Sequence, residues 1–253
     1  MLAGLDEKYN TVYGKRAKLG LIVPASNTVC EPEMARMAPA GVNTYATRIL
    51  FRPTIEDLKA MKHRVQIAAQ ELSSESIADV IAFCCTVGSL IDGPQGESEI
   101  ISCIEAEAHV PAITTATAVK AAFDALHVRR IAVATPYTRE INSHERDALE
   151  RAGYEITSIT GYHEDTAPDM FNNRMIGDLP SRAAFELALR VNGPGSEAIF
   201  ISCTNFRSID VLEELESVTG KPVISSNQAT MWFALRSLGL KDIVRGYGRL
   251  LEM

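Results

Sequence analysis

Two cysteines, Cys85 and Cys203, each end a short apolar run and are each followed by threonine, in "DVIAFCCT" (79–86) and "EAIFISCT" (197–204). The thiolate is the reactive form of cysteine, and it needs an unburied, electropositive setting to exist at neutral pH. We therefore expect both thiols at the exposed ends of their strands. Two opposed thiols can exchange a proton at one carbon, with a base on one face and an acid on the other. The same pair can also add to an alkene and eliminate again.

Uncharged polar side chains follow two other apolar runs. "VPASNT" (23–28) contains Ser26 and Asn27, and "TPYT" (135–138) contains Tyr137 and Thr138. Hydroxyl, amide and N–H donors at one rim would bind a carboxylate, or the dianion formed when its α-carbon is deprotonated. Such residues also cap helices, but we interpret Asn27 and Tyr137 as functional. Three further polar residues are expected to act as helix caps instead: Thr115, Thr117 and Ser226.

The elements that must position these residues alternate along the chain. Apolar runs predict strands at 17–25, 78–84 and 110–115, and helical spacing of apolar residues predicts helices at 54–78, 96–109 and 116–126. Short continuous apolar strands that alternate with helices are typical of parallel sheets covered on both faces. The predicted fold class is α/β.

The second half of the chain repeats landmarks of the first half in the same order. Pro24 corresponds to Pro136 at an offset of 112, Cys85 to Cys203 at 118, and Pro111 to Pro222 at 111. The sequence therefore predicts two pseudo-symmetric halves, residues 1–118 plus 229–253 and residues 119–228, each with a small parallel sheet flanked by helices. Ligands of parallel sheets bind beyond the carboxyl ends of the strands, so we expect the two cysteines to meet across one cleft between the halves.

Composition excludes several classes of partner and cofactor. The 253-residue chain has a net charge of −7 and no basic run, which argues against nucleic acid. No apolar run approaches the ~20 residues that cross a bilayer, and the polar start lacks the core of a secretory signal, so we expect a cytoplasmic protein with no membrane partner. The five cysteines include no C-x-x-C. The histidines are scattered, and no dinucleotide or phosphate-binding fingerprint is present, so we expect neither metal nor cofactor.

The motifs "GLIVPASNT", "FCCTVGS", "ATPYT", "FISCTNFRS" and "KPVISSNQA" resemble those of the aspartate/glutamate racemase superfamily. The resemblance is closest to the branch that holds maleate cis–trans isomerases, arylmalonate decarboxylases and ectoine-utilisation proteins, and it spans nearly the whole chain.

This resemblance implies roles for individual residues. Cys85 would be the nucleophile or base and Cys203 the opposing acid. Asn27 and Tyr137 would hold a substrate carboxylate. Other substrate contacts would come from main-chain amides and side chains near the strand ends: Ser26, Thr86, Val87, Thr138, Thr204 and Asn205.

The predicted function is cofactor-independent isomerisation of a small carboxylate by a homo-oligomer, with maleate to fumarate as the specific candidate. One alternative is a racemase or epimerase of amino or hydroxy acids that uses the same thiols for proton exchange. A third possibility is an arylmalonate-type decarboxylase or a protein that binds a carboxylate without altering it. The decarboxylase branch has glycine in place of the first cysteine, so the presence of Cys85 counts against decarboxylation.

Overall fold

The computed structural model describes residues 12–50, 55–90, 92–167 and 170–253. In the first half of the chain, four strands lie in one sheet: β1 (Ala17–Pro24), β2 (Val42–Ile49), β3 (Val80–Phe83) and β4 (Ala112–Thr114). Five helices connect or follow them: α1 (Cys30–Met37), α2 (Ile55–Ser73), α3 (Thr86–Leu90), α4 (Gly93–Ala108) and α5 (Thr115–Ala125). A short 3₁₀ helix, Ser74–Ser76, follows α2.

The second half repeats this plan. Its strands are β5 (Arg130–Thr135), β6 (Glu155–Gly161), β7 (Ala198–Ile201) and β8 (Val223–Ser225). Its helices are α6 (Arg139–Arg151), α7 (Asn173–Gly177), α8 (Ser181–Val191), α9 (Leu212–Thr219) and α10 (Ser226–Ser237), followed by a 3₁₀ helix at Arg249–Glu252.

The two sheets have equivalent topologies. The strand orders are β2-β1-β3-β4 and β6-β5-β7-β8, and every pairing is parallel. β3 and β7 are buried along their whole length because helices cover both faces of each sheet. Parallel pairing places all carboxyl ends of a sheet at one edge. The predicted α/β fold with two pseudo-symmetric halves is confirmed.

Contacts between the halves run through helices as well as strand ends. α5 packs against α10, and α10 also contacts α1 and β3. In addition, α3 of the first half packs against α6 of the second, where Leu90, Ala116 and Ala148 form a small buried cluster. These contacts fix how the two strand edges face each other.

The sequence patterns missed two strands and misplaced some boundaries. β2 and β6 were not predicted, because both are edge strands whose burial is interrupted by exposed residues. The helix predicted over 54–78 ends as α-helix at Ser73, and its predicted first residue lies outside the described residues. The predictions for the other helices differ from the structure by three residues or fewer at each end.

The three expected helix caps were wrong. Thr114 caps α5 by accepting the Thr117 N–H at 3.0 Å. Ser225 caps α10 in a reciprocal capping box with Gln228. Each cap is the last residue of its strand, where the backbone is still extended as a cap requires. No helix in the described ranges is long and apolar enough to cross a membrane.

Candidate active site

Cys85 lies just beyond the carboxyl end of β3, at the start of α3. Its carbonyl oxygen accepts hydrogen bonds from the Ser89 N–H (3.0 Å) and the Ser89 hydroxyl (2.7 Å), which fix the turn into the helix. The Gly88 N–H favours the ionised form of the sulfur and so lowers the pKa of Cys85. A Cβ at Gly88 would stand 2.9 Å from that sulfur, so glycine here leaves room for the thiol.

Cys203 holds the corresponding place beyond β7, but its backbone differs. Its φ is +93°, in a region that residues other than glycine seldom adopt, and it is followed by a turn rather than by a helix. Its N–H donates to the Ser226 hydroxyl (3.0 Å), and its sulfur accepts the Asn205 N–H (3.3 Å). These bonds hold a turn that carries backbone strain.

Tyr137 lies close enough to both thiols to interact with each electrostatically. Its hydroxyl donates to the sulfur of Cys203, and its ionised form would be repelled by the thiolates of both Cys203 and Cys85. Burial is the main reason why the pKa of Tyr137 lies well above its ordinary value, so the hydroxyl stays protonated. We refer to Cys85, Cys203 and Tyr137 as the thiol site.

The backbone of β5 and β6 positions Tyr137. The Tyr137 N–H donates to the Thr135 hydroxyl (3.1 Å), which itself donates to Asn142 of α6 (2.5 Å). Gly161, the last residue of β6, passes so close that a Cβ there would stand 2.1 Å from the Tyr137 carbonyl oxygen. A larger residue at 161 would displace the tyrosine.

Both thiols are buried, contrary to the expected exposed setting. Cys85 is 8% exposed and Cys203 is 5% exposed. Burial raises the pKa of Cys85 to about 12, despite the Gly88 N–H, which lowers it. Burial also raises the pKa of Cys203 to about 12, despite the donors Tyr137 and Asn205. Each thiolate would repel the other, so the resting site holds protonated thiols.

Hydroxyl groups join the two halves around the thiol site. Thr86 of the first half and Ser226 of the second are hydrogen-bonded through their hydroxyls at 2.9 Å. The Thr204 hydroxyl donates to the Cys84 carbonyl oxygen across the halves at 3.0 Å. Ser226 therefore touches both halves, a contact that the sequence patterns did not reveal because this serine was expected to be a helix cap.

Asn27 is close to the thiol site, and all its described polar contacts are within the protein. Its Nδ2 donates to Thr204 Oγ1 (3.0 Å), and its Oδ1 accepts the N–H groups of Val29 and Cys30 at the start of α1. In the structure Asn27 therefore orders the entry to α1 and links the halves. A contact with substrate stays a prediction.

The other predicted substrate contacts divide into buried and outer residues. Thr86, Thr138, Thr204 and Asn205 are buried, whereas Val87 is half-buried and Ser26 is exposed. Ser26 accepts a hydrogen bond from Asn173 of α7 (3.0 Å). Asn205 donates to the Asn173 carbonyl oxygen (2.7 Å). The first residue of α7 therefore contacts both Ser26 and Asn205. Asn173 was not predicted, since nothing in its local sequence distinguishes it.

The described side chains of the metal-ligating types are dispersed. Within the described ranges no cluster of three or more His, Cys, Asp or Glu side chains could hold a metal ion. No disulfide joins any two of the five cysteines, all of which lie in the described part of the chain.

Comparison with known proteins identifies what the chain is similar to. A family model described as arylmalonate decarboxylase matches residues 19–251. The chain is 30% identical over 240 residues to the arylmalonate decarboxylase of Bordetella bronchiseptica, covering 92% of this chain and 96% of that protein. It is 25% identical over 253 residues to the maleate isomerase of Geobacillus stearothermophilus, covering 94% and 98% of the two chains.

Solved structures give the same two similarities. A variant of the Nocardia farcinica maleate cis–trans isomerase, with a covalently bound succinylcysteine intermediate, superimposes with a TM-score of 0.84 and 26% identity over 93% of this chain and 98% of that one. A variant of arylmalonate decarboxylase in a sulfate-associated form has a TM-score of 0.81 and 27% identity over 93% and 100%. The resemblance inferred from the sequence motifs is confirmed.

Proposed function

The chain belongs to the arylmalonate decarboxylase family, and on that premise we propose that it is a cofactor-independent cis–trans isomerase that converts maleate to fumarate. The observation that carries the proposal is the pair of thiols, Cys85 and Cys203, which come from opposite halves and interact at one buried site. Four of its relatives are maleate isomerases, and the structurally similar isomerase from Nocardia farcinica carries a succinylcysteine intermediate.

The proposed reaction is an addition followed by an elimination. The Cys85 thiolate forms a C–S bond to one alkene carbon while the Cys203 thiol gives its proton to the neighbouring carbon, so the C=C bond becomes a single bond. Rotation about that bond brings the carboxylates to the trans arrangement. The Cys203 thiolate then removes a proton from the same carbon, the C–S bond breaks, and fumarate leaves with Cys85 again a thiolate. No net oxidation or reduction occurs.

The cycle requires one thiolate and one thiol. Burial opposes the thiolate and the two thiolates repel each other, so the site favours at most one negative sulfur. The Gly88 N–H favours the charge at Cys85. The roles of Cys85 as nucleophile and Cys203 as acid follow the family resemblance.

Neutral donors would hold the substrate carboxylates. The buried groups near the strand ends include the hydroxyls of Thr86, Thr138 and Thr204 and the amide of Asn205, with Tyr137 beside Cys203. Fixed donors in a buried site stabilise anionic charge more strongly than in water, because they need little reorganisation. Asn27 would join them only by giving up its hydrogen bond to Thr204.

The first test is proton NMR of the protein with maleate in deuterated water. We expect fumarate to appear with the parent enzyme. Cys85→Ser and Cys203→Ser should each lower kcat by about 10³-fold or more, because a serine hydroxyl replaces neither the nucleophile nor the acid. Cys103→Ser, in α4 and outside the thiol site, is the matched control and should retain parental kcat.

Turnover of maleate by either thiol-site serine variant at the parental rate would refute the proposal. An unchanged maleate signal with the parent, together with loss of the α-hydrogen signal from a chiral amino or hydroxy acid, would instead support the two-thiol racemase, which the same pair of opposed cysteines would also serve.

A further inference from the structure

Glu33 of α1 is a buried carboxylate that the proposed reaction does not use. It is 3% exposed, and all its described hydrogen bonds cross to the second half of the chain. One oxygen accepts the N–H groups of Ser208 (2.8 Å) and Ile209 (3.2 Å), and the other accepts the Asn227 side-chain amide (2.7 Å). Donors of this kind make a buried carboxylate tolerable. Glu33 therefore links the two halves.

The backbone groups that Glu33 binds belong to the turn that contains Cys203. Residues 203–211, which we call the Cys203 turn, lead from β7 to α9 without helical structure. Buried N–H groups outside regular structure need acceptors from elsewhere. The carboxylate of Glu33 supplies one acceptor oxygen to two successive N–H groups of this turn.

The segment from Asn27 to Arg36 contacts the Cys203 turn at several points. The links pair residues in the same order along both segments: Asn27 with Thr204, Thr28 with Asn205, Glu33 with Ser208 and Ile209, and Arg36 with Asp210. The last pair is exposed, and exposed ion pairs contribute little to stability. Glu33 is therefore the buried charged member of this series.

Asn227 extends the contact of Glu33 to the residue beside Cys203. Its Nδ2 donates to the Thr204 carbonyl oxygen (3.0 Å) as well as to Glu33 (2.7 Å), and its Oδ1 has no partner among the described residues. Both neighbours of the NH₂ group are acceptors, so the reversed amide would place an oxygen against two oxygens. The amide keeps its orientation for that reason, and it connects Glu33 to Thr204 through one side chain.

The internal repeat shows that Cys85 has no such link. Cys85 begins α3, which supplies its own backbone bonds, such as the Ser89 N–H to the Cys85 carbonyl oxygen (3.0 Å). Glu145 of α6 corresponds to Glu33 at the offset of 112. It is 2% exposed, and neither of its oxygens has a partner among the described residues. Of these two related glutamates, only Glu33 holds a thiol-bearing turn of the opposite half.

We propose that Glu33 is a positioning residue: from the first half, it holds the Cys203 turn in its strained conformation and so keeps the Cys203 sulfur at the thiol site as the proton donor. This inference rests on the proposed function for its catalytic meaning. Cys203 has a φ of +93°, and a strained conformation persists only where surrounding contacts enforce it. Ser226 supplies such a contact at the Cys203 N–H, and Glu33 supplies the contacts farther along the turn.

The test is the rate at which iodoacetamide alkylates each thiol, measured without substrate by mass spectrometry that localises the modified cysteine. Cys203 is buried, so the reagent reaches it when the turn opens locally. Glu33→Gln keeps the size of the side chain but sets an NH₂ group against a donor. The Cys203 rate should rise by about tenfold or more relative to Cys85 in the same molecules, because losing a hydrogen bond to a charged group favours the open turn by that factor.

Asn227→Ala is a second variant that does not depend on how Glu33→Gln folds. It leaves the carboxylate bonded to Ser208 and Ile209 but removes the bridge to Thr204. The Cys203-to-Cys85 ratio should rise in this variant as well. An unchanged ratio in either variant, or an equal rise at both thiols, overturns the proposal.

Glu216→Gln is the matched control for a merely structural effect. Glu216 of α9 is also buried and accepts two backbone N–H groups, those of Val223 (3.0 Å) and Arg249 (2.9 Å), at the other end of β8 from Ser226. Its variant should lose thermal stability but keep the parental alkylation ratio and the parental kcat for maleate. The same rise in ratio with this control would contradict a specific role for Glu33.

The maleate assay then gives the catalytic consequence. Glu33→Gln should lower kcat by about tenfold, because a released turn no longer keeps the Cys203 thiol beside the alkene carbon. Parental kcat in an active enzyme whose ratio has risen would overturn the catalytic part of the inference. Because the alkylation assay contains no maleate, absence of isomerase activity in the parent would refute the proposed function and leave the positioning result readable.

Discussion

Cys85 and Cys203 show how far a residue's type determines its chemistry. The sequence places a thiol at the end of each central strand, and the structure confirms both positions. Burial then raises the pKa of each thiol to about 12, which a strand-end position alone would not suggest. The reactive thiolate must be generated inside the site, by the donors that contact sulfur and by the charges around it.

Loss of the Tyr137 hydroxyl should show most directly how much a donor to sulfur stabilises the thiolate. This hydroxyl stabilises the Cys203 thiolate, the form that must take back a proton in the elimination step. Tyr137→Phe should lower kcat by about 10- to 100-fold, since a hydrogen bond to a charged group contributes about 1.5–3 kcal/mol. It should also slow alkylation of Cys203.

Tyr154→Phe is the matched control for that variant. The Tyr154 hydroxyl donates to the Lys120 carbonyl oxygen and to Asp124 (both 3.1 Å), away from the thiol site. Its loss should leave kcat unchanged in the maleate assay. Parental kcat in Tyr137→Phe would show that the hydroxyl has no part in the reaction.

At the scale of elements, the strand-to-helix junctions carry both the caps and the site. β8 ends at Ser225, which caps α10, and the next residue, Ser226, contacts the Cys203 N–H and the Thr86 hydroxyl. Two adjacent serines therefore have different tasks. Sequence reasoning assigned the cap to the wrong one because the strand and the helix meet without an intervening loop residue.

This division of tasks predicts different outcomes for two alanine variants. Ser225→Ala should lower the free energy of unfolding by about 1 kcal/mol through loss of the cap, with kcat unchanged. Ser226→Ala should lower kcat, because the strained Cys203 turn loses the acceptor of its N–H. Urea unfolding and the maleate assay on both proteins make the comparison. Equal kcat in the two variants would contradict the role given to Ser226.

At the scale of the whole molecule, the burial of charge determines how stability responds to pH. The two sheets share one topology, and Glu33 corresponds to Glu145 at the repeat offset of 112. These two glutamates nevertheless differ in their hydrogen bonds: Glu33 is bonded, whereas neither oxygen of Glu145 has a partner among the described residues.

The division of the chain at 118 and 229 stays a prediction. α5 and α10, which lie at those boundaries, pack against each other.

Stability should therefore fall with rising pH through the titration of Glu145. Its pKa is raised by burial from 4.5 to about 7, so the folded protein binds more protons than the unfolded chain between these values. The penalty is absent below the unfolded value and complete above the folded one, at about 3 kcal/mol. In urea unfolding, Glu145→Gln should gain stability relative to the parent by about this amount as the pH rises through that interval.

Any constant effect of the amide cancels in this comparison, because only the change of the difference with pH is used. Glu33, whose pKa is also raised by burial, is present in both proteins. A difference between parent and variant that does not vary with pH would show that Glu145 keeps an ordinary pKa.

The sequence by itself determined the α/β class, the two halves and the strand ends near which Cys85, Cys203 and Tyr137 lie. Apolar periodicity is a local signal that identifies strands and helices, and the internal repeat can be read by comparing the two halves of the chain directly. It did not reveal the edge strands β2 and β6, whose exposed residues interrupt the pattern. Only the tertiary structure decided the burial of the thiols, the bonds across the halves and the unpaired state of Glu145. These properties depend on which distant segments meet, and identical residue types in a repeat can meet different neighbours.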